Sequence, residues 1–311
     1  MSANAARSID DYLKQLRAAL EGQDPALIQD ALYDAEEYLR AEVAAHPDKS
    51  EADVLELIAS TYGAPDEVAA AYRDTEAKVK AALKTPVPAA AAGTSGWKRF
   101  FGIYLDPRTY TSVFYMLLAL ATGILYFTVV VTGLSLSFGF AILIIGIPFF
   151  LAFIGITRVI ALGEGRLIEA VTGERMPRRP VHPGPPAGWL TRIGEMLTDA
   201  RTWTTLLYML LMLPLGIIYF TLTVTGLAVG LAFTAAPFVV LARWLGLDAD
   251  ATVFSDDAHI GGFMLSDHSM LAALILGILG VLILTLLMHA ARAIGRGHAH
   301  LAKALLVVPG G

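Results

Sequence analysis

Cysteine is absent from the sequence, which excludes disulfides, thiolate nucleophiles and cysteine-ligated zinc or iron–sulfur sites. Charged residues are also scarce, at 16% of the 311 residues, whereas hydrophobic residues make up 56%. That balance is too apolar for an ordinary soluble domain. The formal net charge of -5 argues against nucleic acid as a partner.

The chain also lacks a long apolar run after its first residues, MSANAARSIDDYLKQ. We therefore expect no cleavable signal peptide and an N-terminal part that stays in the cytosol. Acidic residues outnumber basic ones up to residue 84, whereas long stretches beyond Tyr110 carry no charge. The composition predicts an all-α protein with a small cytosolic helical domain at 1–84, a Pro, Ala, Gly and Ser linker at 85–97 and a polytopic membrane domain at 98–311.

The cytosolic domain is predicted to contain four amphipathic helices. Their ends carry side chains that cap an N-terminus, prolines suited to a first turn and a glycine suited to a C-terminus. Asp34, Glu36 and Glu37 are interpreted as a solvated face rather than a catalytic carboxylate pair, because successive helical positions diverge. The residues at the helix ends are Ser8, Asp24 with Pro25, Ser50 with Asp53, Gly63 and Pro65.

Two motifs in this domain, AEEYLR and YGAPDEVAAAY, resemble the small helical domain of the HAAS or DUF1700 type that is found beside bacterial membrane sensor modules. The resemblance covers about residues 8–75 and implies a helical domain without an active site. Its apolar stripes supply only one small core, so we expect the helices to pack on a neighbour or on a second copy.

One membrane-length sequence occurs twice. DPRTYTSVFYMLLALATGILYFTVVVTGL and DARTWTTLLYMLLMLPLGIIYFTLTVTGL begin 93 residues apart, and roughly 18 of the 29 aligned residues are identical. A second echo, 134 residues apart, links TRVIALGEGRL with ARAIGRGHAHL. We therefore predict a duplicated two-helix hairpin. Repeat A is at 106–172, and repeat B is at 199–306 with an insertion at about 228–268.

The duplicated hairpins supply four apolar runs that are long enough to cross a bilayer. Arginines follow the second and the fourth run, so the positive-inside rule places both chain ends in the cytosol and the acidic insertion outside. The protein is thus predicted to be a multi-pass bacterial inner-membrane protein. Its spans are predicted at about 110–133, 138–160, 203–226 and 269–291.

Residues 228–247 leave an alternative open, because AVGLAFTAAPFVVLARWLGL is long enough for a fifth span. A fifth span would place the basic C-terminus outside, against the positive-inside rule. Pro237 and Arg243 favour a broken, re-entrant or interface-lying element instead. We therefore expect four full spans.

A basic, proline-rich run, RMPRRPVHPGPPA at 175–187, follows the second span. A cytosolic segment of this composition is expected to lie against anionic lipid headgroups. The segment that follows this run, up to the third span, has one apolar face, which is typical of a short interfacial helix. That face consists of Trp189, Leu190, Ile193 and Leu197.

The paired openings DPRTY and DARTW, the run LPLGIIYFTLTVTGLAVGL and the run ALGEGRLIEAVTGERMP are similar to the sensor domain that forms the N-terminal membrane part of many actinobacterial histidine kinases. The resemblance covers roughly residues 100–308 and implies membrane sensing with a cytosolic C-terminus. In those kinases a catalytic domain follows the last helix. Here only KALLVVPGG follows Ala302, so kinase activity is not expected.

Two sets of side chains are candidate binding sites. Repeated hydroxyl-bearing positions in the spans could line a cleft for a lipid or another apolar ligand, although close helix packing explains them too. Acidic and histidine residues of the insertion could bind a divalent metal or respond to pH, although a solvated loop explains them. His298 and His300 are expected to point apart on their helix. The ligand candidates are Tyr126, Thr128, Tyr219 and Thr221, and the metal candidates are Asp256, Asp257, His259, Asp267 and His268.

The spans carry no central Asp, Glu, Lys or Arg, which argues against a proton relay or an ion pump. Phosphate-binding glycine loops and hydrolase motifs are also absent. We therefore predict a non-catalytic membrane sensor without a cofactor. Its membrane domain would detect an envelope or lipid signal, and its helical domain would relay that signal to a protein partner, namely a regulator, a kinase or a transporter. The alternative is an accessory or scaffolding subunit of a membrane complex such as a transporter.

Overall fold

The structure, a computed structural model, describes residues 6–83, 96–140, 146–179, 191, 194, 197–246, 259–260, 263–264 and 270–307. Apart from one very short hairpin, the regular structure in these residues is helical, which confirms the all-α prediction. The head, residues 6–83, contains α1 (Ile9–Ala19), α2 (Pro25–Ala45), α3 (Glu51–Ala59) and α4 (Pro65–Leu83). The remaining elements are α5 (Gly96–Phe101), a 3₁₀ turn (Gly102–Leu105), α6 (Pro107–Phe140), α7 (Gly146–Thr172), α8 (Ala200–Trp244), β1 (His259–Ile260), β2 (Phe263–Met264) and α9 (Met270–Leu306).

The predicted N-terminal caps of the head are present in the structure. Each capping side chain accepts a backbone N–H of the first turn, which would otherwise have no partner within its helix. The cap of α1 is Ser8, which accepts from Asp11 at 3.2 Å, that of α2 is Asp24, which accepts from Ala26 at 2.9 Å, and that of α3 is Ser50, which accepts from Asp53 at 3.3 Å.

The four head helices bury one apolar core. Its centre includes Leu16, Leu27 and Leu39, and the Tyr12 ring is buried beside them. The Tyr12 hydroxyl donates to the carbonyl of Gly63 at 2.8 Å. Burial raises the pKa of Tyr12, so the phenol stays protonated and remains a donor. Gly63 has a φ of +107°, which glycine adopts without the strain that a Cβ would add.

Four helices of the described chain, α6 to α9, are long and apolar enough to cross a membrane. Large apolar side chains cover their outer surfaces, and Ile124, Ile218 and Ile278 are each more than half exposed. Such a surface is stable against lipid rather than against water. The chain is therefore a multi-pass α-helical membrane protein, and the count agrees with the prediction of four spans.

The prediction that residues 228–247 form a broken element is wrong up to Trp244, and a re-entrant or interface-lying position for them stays a prediction. α8 continues without interruption to Trp244, with Pro237 inside it. Its 45 residues extend over about 68 Å, more than twice the thickness of the hydrocarbon core. The Pro237 ring lies against Gly277 of α9, where a Cβ would be 3.0 Å from the ring. Glycine at 277 thus leaves room for the proline.

The bounds of α6 and α7 also differ from the prediction. α6 includes residues 138–140, where the second span was predicted to begin. α7 then continues to Thr172, well past its apolar run. A helix satisfies its own backbone hydrogen bonds in lipid and in water alike, so it does not have to end where its apolar stretch ends.

The chain divides into two compact units. Unit 1 consists of residues 1–89, 128–209 and 298–311, and unit 2 consists of residues 90–127 and 210–297. The helices α6, α8 and α9 contribute residues to both units. Neither unit therefore coincides with one of the two predicted repeats.

Within unit 2, α6 and α8 cross at two glycines that are 93 residues apart. A Cβ at Gly123 would lie 2.5 Å from the carbonyl oxygen of Met212, and a Cβ at Gly216 would overlap the carbonyl oxygen of Ala119. Ala119 and Met212 are also 93 residues apart. The contact is therefore reciprocal, because each helix presents the same position to its counterpart. Small residues allow two spanning helices to approach this closely.

A second pair of contacts involves residues at matching positions of the two predicted repeats. In unit 1, Gly133 of α6 faces the ring of Phe153 of α7, and a Cβ would overlap that ring. In unit 2, Gly226 of α8 faces Leu287 of α9, with a Cβ at 3.1 Å. The glycines are 93 residues apart and their partners 134 residues apart, which are the two offsets of the sequence match.

Two ion pairs also occupy matching positions. Within unit 2, Asp106 pairs with Arg292 at 2.7 Å, and within unit 1, Asp199 pairs with Arg158 at 3.5 Å. In both pairs the aspartate precedes the first helix of one predicted repeat, and the arginine belongs to the second helix of the other repeat. The chain thus uses the same residue types twice to join helices that are far apart in sequence.

Candidate functional site

The candidate site lies in unit 1, where the head contacts residues 173–179, here called the connector. The connector begins where α7 ends, at Gly173, which has a φ of +75° and donates its N–H to the carbonyl of Glu169 at 2.9 Å. Glycine is the usual residue for this left-handed conformation after a helix. The connector therefore follows α7 without an intervening segment.

Arg175 of the connector inserts its guanidinium between two carboxylates of the head. One donor lies 2.9 Å from Asp30 of α2, and another contacts Glu76 of α4. The side chains of Arg175, Asp30 and Glu76 are 14%, 6% and 7% exposed. At this burial a charge is stable only when it is paired and hydrogen-bonded. Two helices of the head are thus tied to one connector residue.

Asp30 also holds the backbone of the connector. Its second carboxylate oxygen accepts the N–H of Arg178 at 2.9 Å and that of Arg179 at 3.0 Å. The Arg178 side chain turns back to Glu169 of α7 at 2.6 Å, and this hydrogen bond raises the pKa of Arg178. Because Asp30 binds a guanidinium and two backbone N–H groups, it fixes both the position and the direction of the connector.

Arg179 extends the contact to the side of the head. Its guanidinium lies 3.0 Å from Asp34 and 5.7 Å from the centre of the Tyr33 ring, and its carbonyl accepts from Gln29 at 2.9 Å. Tyr72 of α4 donates to Asp34 at 3.0 Å. Burial, with Asp34 close by, raises the pKa of Tyr72, so this phenol remains a donor.

These contacts correct two sequence interpretations. Asp34 was assigned to a solvated face, yet it binds Arg179 and Tyr72, whereas Glu37 is exposed as expected. Arg175 and Arg179 were expected to lie against lipid headgroups, but the acidic head binds both. The sequence contained one overlooked signal: Asp30 shares the buried stripe of α2 with Leu27 and Ala31, where an unpaired carboxylate would be unstable.

A second contact joins the head to the end of α9. Lys303 reaches Asp24, the N-cap of α2, at 2.5 Å. Asp24 therefore accepts both a helix N–H and an ammonium group. Within unit 1 the head is thus bound to the continuation of α7 and to the last turns of α9. Both are the second helices of the predicted repeats.

A buried polar cluster lies in unit 1 between α7, α8 and α9. The Tyr208 hydroxyl is 2.9 Å from Glu164 and 3.0 Å from His298, and the three residues are 1%, 1% and 2% exposed. Glu164 and His298 are 134 residues apart, so they occupy matching positions in the sequence echo. The hydroxyl has one proton, so when Tyr208 donates to the Glu164 carboxylate, the facing nitrogen of His298 must carry a proton. His300 is exposed, which confirms that the two histidines point apart.

Replacing Tyr208 with phenylalanine is expected to lower the free energy of unfolding by about 3 kcal/mol, because two buried polar groups lose their shared partner. Denaturant unfolding of the detergent-solubilised protein measures the change. Tyr110→Phe is the matched control, since it also removes a hydroxyl that forms a hydrogen bond, to the Tyr104 carbonyl at 2.9 Å, but Tyr110 is 50% exposed. The control is expected to lose at most about 1 kcal/mol. An equal loss in both variants would contradict the special role of the cluster.

The four intramembrane ligand candidates are placed on different surfaces. Tyr126 and Tyr219 are buried, at 6% and 9% exposure, whereas Thr128 and Thr221 are exposed. Tyrosine and threonine of each repeat therefore do not line one common buried surface. Their role as a ligand site stays a prediction.

The metal candidates of the insertion lie outside the described residues or, for His259, have no described side chain. Only the backbone of β1 and β2 is described there, with His259 paired with Met264 in an antiparallel register. Among the described residues, no group of three or more His, Asp or Glu side chains could hold a metal ion.

Four apolar helices, a capped helical head and a charged contact between them define a class: an α-helical multi-pass membrane protein with an extramembrane helical domain. The sequence model of the family described as "Putative sensor" matches residues 115–306. The chain therefore belongs to this sensor family. Neither a curated protein nor a solved structure matches the chain.

Proposed function

We propose that this protein is a non-catalytic membrane sensor whose spanning helices pass an envelope or lipid signal to the head through the connector. The observation that carries the proposal is Arg175, which is buried between Asp30 and Glu76 and lies three residues beyond the end of α7. Membership of the sensor family supports the sensing role. The head would then act on a protein partner by contact.

The connector suits a relay because it follows α7 directly and is held by hydrogen bonds with defined directions. Packed helices shift between discrete arrangements rather than deforming continuously. A shift of α7 by part of a turn would move Arg175 relative to Asp30 and Glu76, which bind it through short contacts. The Lys303 contact gives α9 a second influence on α2. Both second helices of the proposed duplication would therefore control the head.

The proposed location is the bacterial inner membrane, with both chain ends in the cytosol. Arg166, Arg175 and Arg179 follow the apolar run of α7, and Arg292, Arg296 and Lys303 follow that of α9. Basic residues next to spans favour the cytosolic side. The acidic insertion between α8 and α9 would then face outward, and the head would share the compartment of the connector.

The relay is tested by the distance between the head and α7. The chain has no cysteine, so Glu37→Cys and Ala170→Cys, both at exposed positions, introduce two unique labelling sites. Spin labels there report the distance in the full-length chain reconstituted into vesicles of different bilayer thickness. We expect the distance distribution to shift with thickness, because mismatch changes the tilt and packing of spanning helices.

A matched pair within the head, Glu37→Cys with Asp66→Cys, should give one unchanged distance in all vesicles. If the head-to-α7 distance also stayed constant in bilayers of every thickness and headgroup, the proposed relay would be wrong. If both distances changed, the head itself would be unfolding, and that result too would contradict a relay by rigid contact.

A further inference from the structure

We propose that one face of the head, here called the docking face, binds an arginine-bearing segment of a protein partner, and that the connector occupies this face as an internal competitor. The docking face consists of Gln29, Asp30, Tyr33 and Asp34 of α2 and Glu76 of α4. The inference rests on the proposed function, because it names the surface through which the head would act and the chemistry of the segment that it would bind.

The docking face is bound to two arginines of the connector that are four residues apart. Arg175 lies between the carboxylates of Asp30 and Glu76, and its side chain is 14% exposed. Arg179 binds the edge of the face through Asp34, at 3.0 Å, and its side chain is 52% exposed. A planar guanidinium group matches carboxylate oxygens better than an ammonium group does. The face therefore favours a segment with two arginines separated by three residues, of which the first is the more deeply bound.

The docking face also binds main-chain groups of the connector. One carboxylate oxygen of Asp30 accepts the N–H groups of Arg178 and Arg179 at 2.9 and 3.0 Å. The side-chain amide of Gln29 donates to the Arg179 carbonyl at 2.9 Å. These contacts identify a polypeptide as the ligand, since a free cation or a lipid headgroup has no pair of consecutive amide groups. They depend on the conformation of the bound segment and not on its covalent link to α7, so a segment of another protein can form them.

Other groups of the connector contact α7. Met176 is fully buried, and its Cβ is 3.4 Å from the position that a Cβ at Gly165 of α7 would have. The Arg178 side chain binds Glu169 of α7 at 2.6 Å. α7 thus supplies an apolar contact to the connector, whereas the contacts described above between connector and head are polar. Separated polar groups regain hydrogen bonds from water, but a separated apolar contact loses its burial. The head can therefore leave the connector while the connector stays on α7.

A releasable connector makes the docking face a regulated surface. While it is attached to α7 beside the head, the connector competes with a partner at an effective concentration on the order of millimolar. Buried carboxylates favour a paired cation, so a released head favours another guanidinium in the position of Arg175. A signal that moves the end of α7 would free the face, and a partner with the same arginine spacing would bind there.

The test measures the binding of a labelled peptide to the purified full-length chain in a neutral detergent. The peptide GERMPRR has the sequence of residues 173–179, and fluorescence anisotropy measures its dissociation constant. We expect weak binding to the parent chain. Binding to the double variant Arg175→Gln with Arg179→Gln should be about a hundredfold tighter, because the apparent affinity rises with the fraction of chains whose face is free.

Matched peptides and variants separate arginine recognition from charge attraction. The peptide GEKMPRK keeps the charge and should bind the double variant about tenfold more weakly than GERMPRR, because an ammonium group lacks the fork of a guanidinium. Adding Asp34→Asn, at a side chain that is 34% exposed, to the double variant should weaken GERMPRR binding about tenfold. Arg166→Gln removes an exposed arginine of α7 and should keep the weak binding of the parent chain. A folding defect cannot produce a preference for arginine over lysine.

Equal binding of GERMPRR by the parent chain and the double variant would overturn the docking face, and so would equal binding of the arginine and lysine peptides. A second copy of the chain is the alternative occupant. If light scattering showed a parent dimer that the double variant lost, the connector of a second copy would fill the face and the proposed partner would be wrong.

The outcome is separable from the relay. Peptide binding to the double variant, together with a constant head-to-α7 distance in the parent chain, would support the docking face and contradict the relay. A shifting distance without peptide binding would support the relay and contradict the docking face.

Discussion

Arg175→Gln is expected to release the head from the connector. The substitution leaves the carboxylates of Asp30 and Glu76 buried without their cation, and breaking a buried ion pair in this way typically costs about 3–5 kcal/mol. A cost of about 3 kcal/mol changes the ratio of docked to released heads by more than a hundredfold. The spin-label distance between positions 37 and 170 should broaden towards long values, and hydrogen exchange in the connector should accelerate.

Arg40→Gln is the matched control for this prediction. Arg40 is also an arginine bound to a carboxylate at 2.8 Å, but its partner Glu36 is one turn away on the same helix α2, and the Arg40 side chain is 31% exposed to water. Such pairs contribute about 0–1 kcal/mol, so the label distance should not change. The double variant Arg175→Gln with Glu76→Gln removes the charge imbalance and should recover part of the docking. If Arg175→Gln kept the distance distribution of the parent chain, the ion cluster would not hold the head.

The head was predictable from sequence because its signals are local. Caps such as Ser8 and Ser50 act within one turn, and the apolar stripes repeat at helical spacing, so a short window contains the cause and its consequence. The contact between Asp30 and Arg175 joins residues 145 positions apart. No local pattern shows which basic residue an acidic residue will meet, and the sequence therefore suggested solvent for Asp34 and lipid for Arg175.

The membrane helices were predictable in number and not in extent. Hydropathy identifies a run that prefers lipid, but the helix that contains it ends where its backbone loses partners or its neighbours stop packing. Pro237 removes one hydrogen bond from α8 and was interpreted as a break. The structure accommodates it, since Gly277 of α9 leaves space beside the ring. This compensation depends on a residue 40 positions away in another helix and cannot be inferred from the proline alone.

The sequence match between the two predicted repeats predicted more about the structure than their hydropathy did. Residues at matching positions form the same kinds of contact. Asp106 with Arg292, and Asp199 with Arg158, join each first helix to the second helix of the other repeat. The sequence predicted two two-helix hairpins and gave no indication of contacts between them. Contacts between the two predicted repeats also account for the buried cluster around Tyr208. There Glu164 and His298, which occupy matching positions in the two predicted repeats, both lie within hydrogen-bond distance of one tyrosine. Sequence similarity shows which positions correspond, but it does not show which copy they contact.

The reciprocal crossing of α6 and α8 gives the second large expected effect. Gly216→Ala places a Cβ against the carbonyl oxygen of Ala119, and Gly123→Ala places one 2.5 Å from that of Met212. Backbone atoms cannot rotate away as a side chain can, so the helices must separate. Each single variant is expected to lose about 2–3 kcal/mol of unfolding free energy, measured by denaturant titration in detergent. The double variant should lose less than the sum, because helices already separated by one methyl group leave room for the other.

Gly139→Ala serves as the control, since it lies on α6 as Gly123 does but, among the described residues, no neighbouring atom lies within 4 Å of the added Cβ. In open space this change should be neutral or should stabilise the helix by up to about 1 kcal/mol, because alanine has the higher helix propensity. The two substitutions thus have opposite expected signs on one helix, although both add the same methyl group. Similar losses at positions 123 and 139 would show that general helix flexibility, and not the close crossing, requires glycine in α6. A stability loss confined to Gly123 and Gly216 would establish that the matching halves of the sequence hold each other together through the same backbone contact.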